Sequence, residues 1–200
     1  NLKWSYDKDQ QNIHIKNIKL NEVDANIFRS KIPKDNKKKK LLYSKLLRNI
    51  KFPLLVDNLN LINSRLVYEE DKPDANGPGK VIFSNFNMNV RNLNSNKKKG
   101  ADTKVPIASN CQFMEVSPMK VNWNFDTANL RDQFTFSGYI NNLPAHDINP
   151  FIKPYMNITA TGLITSLNFD FKGNNDLMNG KFRIAHKDLK VNVLDQKTKK

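Results

Sequence analysis

The chain has 200 residues, 38% of them hydrophobic, with a mean hydropathy of −0.64 and a net charge of 33 − 19 = +14. That length suffices for one large domain, and the spaced Phe, Ile, Leu and Val exclude a disordered polymer. One cysteine, Cys111, excludes an internal disulfide and a Cys-built zinc site, and no run of 18 apolar residues offers a transmembrane helix.

Strand patterning dominates from the start. Residues 12–20 and 22–29 alternate apolar and polar and are predicted as a hairpin around Asn21. Residues 30–40 form a polar, Lys-rich loop, and Leu41, Leu42, Lys45, Leu46 and Leu47 share one helical stripe, predicting a short helix over 41–49. After Pro53, residues 54–61 and 63–70 read as a second hairpin pair, and Glu69-Glu70-Asp71 as its solvated end.

The turn signal from Pro73 to Gly79 leads into a long strand over 80–92. Strands follow over 105–115, 120–126 and 133–140, with 93–104 the best place for a hinge in an otherwise single domain, 1–200. The prolines between Leu143 and Met156 break the alternation and predict a loop with one helix around 148–156. Strands resume over 158–172, 177–186 and 188–195.

A pattern of apolar–any–Asn–apolar–polar–apolar recurs as Ile15–Leu20, Val56–Leu61 and Phe83–Met88. Each copy lies in a strand-like run, and repeated strands of this kind build one long curved sheet. In the late strands one face is apolar and the other polar. The residues expected to line the apolar face are Val121, Trp123, Phe125, Phe134, Phe136, Leu167, Phe169, Phe171, Phe182 and Ile184. Two short helices are too little to cover such a face. A second sheet, closure into a barrel, or a hydrocarbon ligand must do the rest.

Motifs for catalysis or metal binding are missing. His14, His146 and His186 stand in no ligating spacing, and no GxSxG, GxGxxG, P-loop or EF-hand pattern occurs. The reading is therefore non-enzymatic and without a cofactor. Cys111, in an apolar run, reads as a buried structural thiol. The positive charge suggests anionic partners, but it is mostly Lys in loops and tails, alongside abundant Asn, which an AT-rich coding composition explains without selection for binding. Arg is scarce and the aromatics follow the apolar alternation, which argues against a nucleic-acid interface. The chain starts at Asn1 without Met and reads as a fragment or processed product.

Several stretches resemble the AsmA-like proteins of Gram-negative envelopes. These are Leu46–Leu59, Ser64–Glu70, the turn into Gly79–Phe86, Phe136-Ser137-Gly138, Leu143-Pro144, Ile148–Phe151, Gly162–Ile164, Phe169–Phe171, Gly180–Phe182 and Lys187–Val191. The resemblance implies a mostly β fold: a long curved antiparallel sheet, as a groove or half-closed sandwich, with two short helices. It also implies a periplasmic location, an inner-membrane anchor outside this chain, and a role in outer-membrane biogenesis by binding or passing phospholipid along the groove. Two alternatives stay open: an envelope module that binds protein partners without lipid, and a basic nucleic-acid-binding domain.

Overall fold

A computed structural model describes residues 4–7 (backbone only), 12–32, 40–73 and 75–194. The Lys-rich stretch 33–39, Asp74 of the predicted turn and the tail 195–200 lie outside the described residues. In chain order the elements are β1 (Trp4–Asp7), β2 (Asn12–Asn21), β3 (Asp24–Ser30), α1 (Tyr43–Arg48), β4 (Leu54–Asp71), β5 (Gly79–Asn94), β6 (Lys104–Phe113), β7 (Ser117–Asp126), β8 (Phe134–Pro144), a 3₁₀ turn (Ala145–Ile148), α2 (Asn149–Met156), β9 (Ile158–Gly173) and β10 (Met178–Val193). All strands join one open sheet in the order β1-β2-β4-β5-β6-β7-β8-β9-β10, with β3 also on β4. The fold is mostly β, mostly antiparallel, with two short helices, as the alternation predicts.

Two predicted hairpins are absent. β2 and β3 do not pair with each other; both run parallel to β4, β2 along Leu54–Ile62 and β3 along Arg65–Asp71. The predicted break at residue 62, between 54–61 and 63–70, is instead a bulge inside one continuous 18-residue strand. The predicted break before residue 188 is likewise a bulge within β10. A residue that leaves the alternation can end a strand or kink it, and here partners on both sides carry the strand through. Within the 93–104 segment, residues 95–103 connect β5 to β6, which are hydrogen-bonded neighbours in the sheet.

The repeated pattern has a direct structural counterpart. Its first two copies lie side by side in parallel register, with Ile15 opposite Val56, Asn17 opposite Asn58 and Leu20 opposite Leu61. On the polar face, Asn60 donates to Asn17 Oδ1 (3.1 Å) and Asn89 donates to Asn60 Oδ1 (2.7 Å), an amide chain across β2, β4 and β5.

The sheet curls around its apolar face. At one level, Glu22 between β2 and β3, Asn63 in β4 and Asn85 in β5 all adopt left-handed backbone (φ 53°, 48° and 47°), and the register shifts there. Such bulges bend strands together. At one end, Asn149 of α2 exchanges hydrogen bonds with Ala160 of β9, while Phe151 and Tyr155 of α2 press on Gly79 of β5. Those strands are four positions apart, ~19 Å in a flat sheet, yet α2 has 8 residues, ~12 Å of helix. Only a curled sheet allows both contacts.

The core is two clusters, one at each end of the apolar face. Val90, Val105 and Phe125 pack beneath Leu47 of α1. Phe113, Met114, Ile140, Leu143 and Ile164 pack beneath Ile148, just before α2.

Candidate functional site: an apolar strip between two helices

Adjacent strands bring the predicted lining residues into ladder rows on one face. Trp123 is opposite Phe136, which is opposite Phe171. Val121 is opposite Gly138, then Phe169, then Phe182. Phe125 is opposite Phe134, and Leu167 is opposite Ile184. Because partners across a ladder point to the same side, all ten residues share a face.

Their environments differ. Phe125 is only 6% exposed and belongs to the α1-side core, so it offers the trough little surface. Trp123 and Phe134 flank that core, and Leu167 flanks the other. Val121, Phe136, Phe169 and Phe171 belong to neither cluster and are partly exposed between the helices. Phe182 and Ile184, on edge strand β10, are 56% and 45% exposed.

Glycines and rings interlock in this strip. A Cβ on Gly138 would lie 2.7 Å from the Phe169 ring, and one on Gly173 would lie 2.5 Å from the Phe134 ring; Gly180 meets the Phe171 ring in the same way. Each Phe thus lies over a cross-strand glycine, which flattens the surface. Phe136 and Phe169 stack at 5.2 Å, and Phe169 and Phe171 at 6.4 Å.

Sequence reasoning names only Val121, Trp123 and Phe136 among the ten residues that wall the central cleft. This cleft of about 260 Å³ is walled by Phe83, Phe86, Met88, Ile107, Ser109, Cys111, Met119, Val121, Trp123 and Phe136. That falls below the ~300–1,000 Å³ of pockets that enclose small ligands, so it suits a segment of a chain lying in a trough. Phe83, Phe86 and Met88 belong to the third repeat copy, a signal that could have found them. Burial pushes the Cys111 thiol up to about 11, so it is an inert wall. A larger cleft of about 850 Å³, at the turn end of β6–β10, shares Phe125 and Phe134. Three of its amides are engaged locally, Asn129 with Gln133 at 2.7 Å and Asn174 Oδ1 accepting from the backbone N–H of Asp176 and Leu177, and its rim is charged with Asp102, Lys104, Asp126 and Lys172. The trough is therefore the better candidate.

Each helix is pinned to its end of the trough by a buried carboxylate. Tyr43 of α1 sits edge-on to Trp123 (centroids 5.1 Å apart), and Ser44 and Arg48 of α1 donate to Asp132 Oδ1 at 2.7 and 2.5 Å. Asn175 of the β9–β10 turn donates to the other oxygen of Asp132. Burial alone would raise the Asp132 carboxyl, but these hydrogen bonds and the Arg48 charge hold it below its ordinary value.

At the other end Glu70 is 6% exposed, which corrects the expected solvated acidic strand end. Tyr155 of α2 donates to it at 2.7 Å, Tyr68 at 2.5 Å, and the Lys31 ammonium stands at 2.5 Å. Burial opposes the charge, and the bonds from Lys31, Tyr68 and Tyr155 overcome it, carrying the carboxyl down to about 2. The cause of the correction is tertiary: β3 and α2 arrive over Glu70 from distant sequence.

His14 pairs with Asp57 at 2.9 Å and His146 lies 3.3 Å from Asp147, while His186 is on β10. Among the described residues no cluster of metal-binding side chains forms, and no helix is long and apolar enough to cross a membrane. No family model, curated protein or solved structure matches the chain.

Proposed function

We propose that this is an AsmA-like, non-enzymatic domain of the cell envelope that holds or passes phospholipid acyl chains along the trough. In this reading it works in the periplasm, tethered to the inner membrane through an anchor outside this chain. One observation carries the proposal: the two helices and two core clusters cover the ends of the apolar face and leave Val121, Phe136, Phe169 and Phe171 partly exposed between them. Burial of each CH₂ in such a strip is worth about 0.8 kcal/mol. No polar pocket is needed, so lipid class would be weakly discriminated and no single tight site would hold a chain within the strip. The alternating aromatics and the cations of β10 lie on opposite faces, an arrangement that disfavours stacking of bases on a basic surface.

Trp123 supplies the test. Trp4 and Trp123 are the only tryptophans, so Trp4→Phe leaves one reporter beside the trough. Phospholipid brominated on its acyl chains should quench Trp123, and Phe136→Asp or the more exposed Phe182→Asp should weaken quenching at least about tenfold, with the β-sheet circular dichroism kept. Two or more well-buried CH₂ groups per lost contact set that scale. No quenching in the parent protein, or quenching indifferent to both substitutions, would overturn the proposal.

A further inference from the structure

The far edge of the sheet is open. β10 ends the strand order, and among the described residues nothing pairs with its outer side. Over Met178–Ala185 it pairs residue for residue with β9 on its inner side, before the first bulge at Ala185/His186. This stretch has a regular two-sided pattern. Phe182 and Ile184 continue the apolar rows from Phe169 and Leu167, while Lys181 and Arg183 lie with Asp170 and Asn168 on the polar face.

Open edges are usually blunted by short strands, edge lysines, bulges or a charge pointing into the apolar face. On β10 the two bulges lie beyond Ala185, and over Met178–Ala185 a regular edge remains within a 16-residue strand, its apolar face carrying Phe182 and Ile184 and its charges, Lys181 and Arg183, turned to the polar face, where they select against cationic partners. Among the described residues Lys181 and Arg183 form no ion pair, although Asp170 stands opposite Lys181.

We propose that β10, over Met178–Ala185, accepts an extended segment of a partner protein whose side chains alternate acidic and apolar, added as a further strand. The backbone edge would supply register-independent hydrogen bonds, Phe182 and Ile184 would take the apolar side chains, and Lys181 and Arg183 the carboxylates. A lipid headgroup or membrane surface has use for the cations but none for the backbone edge, so a strand fits more of the surface. A second copy fits less well. β10 against itself sets Lys181 and Arg183 against the same cations, the opposite edge strands β1 and β3 have one acidic residue each, Asp7 and Asp24, with no acidic–apolar alternation, and each copy has a net charge of +14. The proposal is independent of whether the trough holds lipid.

The test uses the full chain and fluorescence anisotropy of a short labelled peptide alternating glutamate and valine. Binding is expected, weakened at least about tenfold when alternate backbone nitrogens of the peptide are methylated, since several edge hydrogen bonds of about 1 kcal/mol each are lost. Lys181→Glu/Arg183→Glu, two exposed positions, should reject this peptide and bind its lysine–valine counterpart. Hydrogen exchange should slow at β10 amides on binding. Absence of binding, binding that ignores N-methylation, or capture by anionic vesicles with no peptide binding would overturn the proposal.

Discussion

Asparagine explains more here than base composition does. Asn63, Asn85, Asn92, Asn96, Asn142 and Asn157 all have positive φ. Asn tolerates the left-handed region better than other non-glycine residues, so it is chosen where a strand must kink or a helix must stop, as Asn157 stops α2. In the sequence alone the Asn excess is indistinguishable from a compositional bias, because an abundant residue carries no positional signal until neighbouring strands bend at one level. Gly138 is the opposite case: its missing side chain matters because Phe169 and the Lys120 carbonyl fill the space. Gly138→Ala should therefore cost about 1–3 kcal/mol through overpacking, measured by urea unfolding. Glu70 sets a pH dependence. Its folded carboxyl lies near 2 against an ordinary 4.5, so its stabilisation is complete above about pH 4.5 and is lost as pH falls toward 2. Glu70→Gln should be less stable than the parent at neutral pH, with a smaller further loss between pH 4.5 and 2 in thermal melts. A parent protein equally stable at both ends of that window would refute the latch.

At the level of elements, the alternation gave nearly every strand, and the helical stripe at 41–49 gave α1 (Tyr43–Arg48). It could not give partners. A bulge and a turn look alike in one strand's sequence, so β4 was read as two strands and β2–β3 as a hairpin, and parallel pairing of β2 and β3 with β4 carries no local mark. The ten lining residues were legible as a face because period-two alternation fixes sidedness. Which of them are core was not, because Phe125 is covered by a helix that is distant in sequence. α1 itself is short and lacks a side-chain cap at its N-terminus, so its place depends on tertiary contacts. Arg48 donates to Asp132 and to the carbonyls of Thr127 and Asn129. Arg48→Met would leave a buried carboxylate without its cation and should cost about 3 kcal/mol, with Tyr43 leaving Trp123. A red shift of Trp123 emission in the Trp4→Phe background would report it; unchanged stability would show that Ser44 and Asn175 hold α1 on their own.

For the whole molecule, the alternation implies a long curved sheet with one apolar face, but not whether that sheet stays open or that its helices stand at opposite ends of the strands. That placement follows from Asp132 and Glu70, two buried acids in separate turns and strand ends, which no periodicity reveals. It also gives the trough a finite length. Along β7, from Met119 beside one cluster to Phe125 beneath the other, six residue steps span ~20 Å. A chain lying lengthwise between two pinned stops is measured by them. The domain would then act as a ruler, grading hydrocarbon tails by length while remaining indifferent to the headgroup. A series of brominated tails of increasing length should quench Trp123 more strongly up to a limit and then plateau or decline, and the Arg48→Met protein, with one stop released, should move that limit to longer tails.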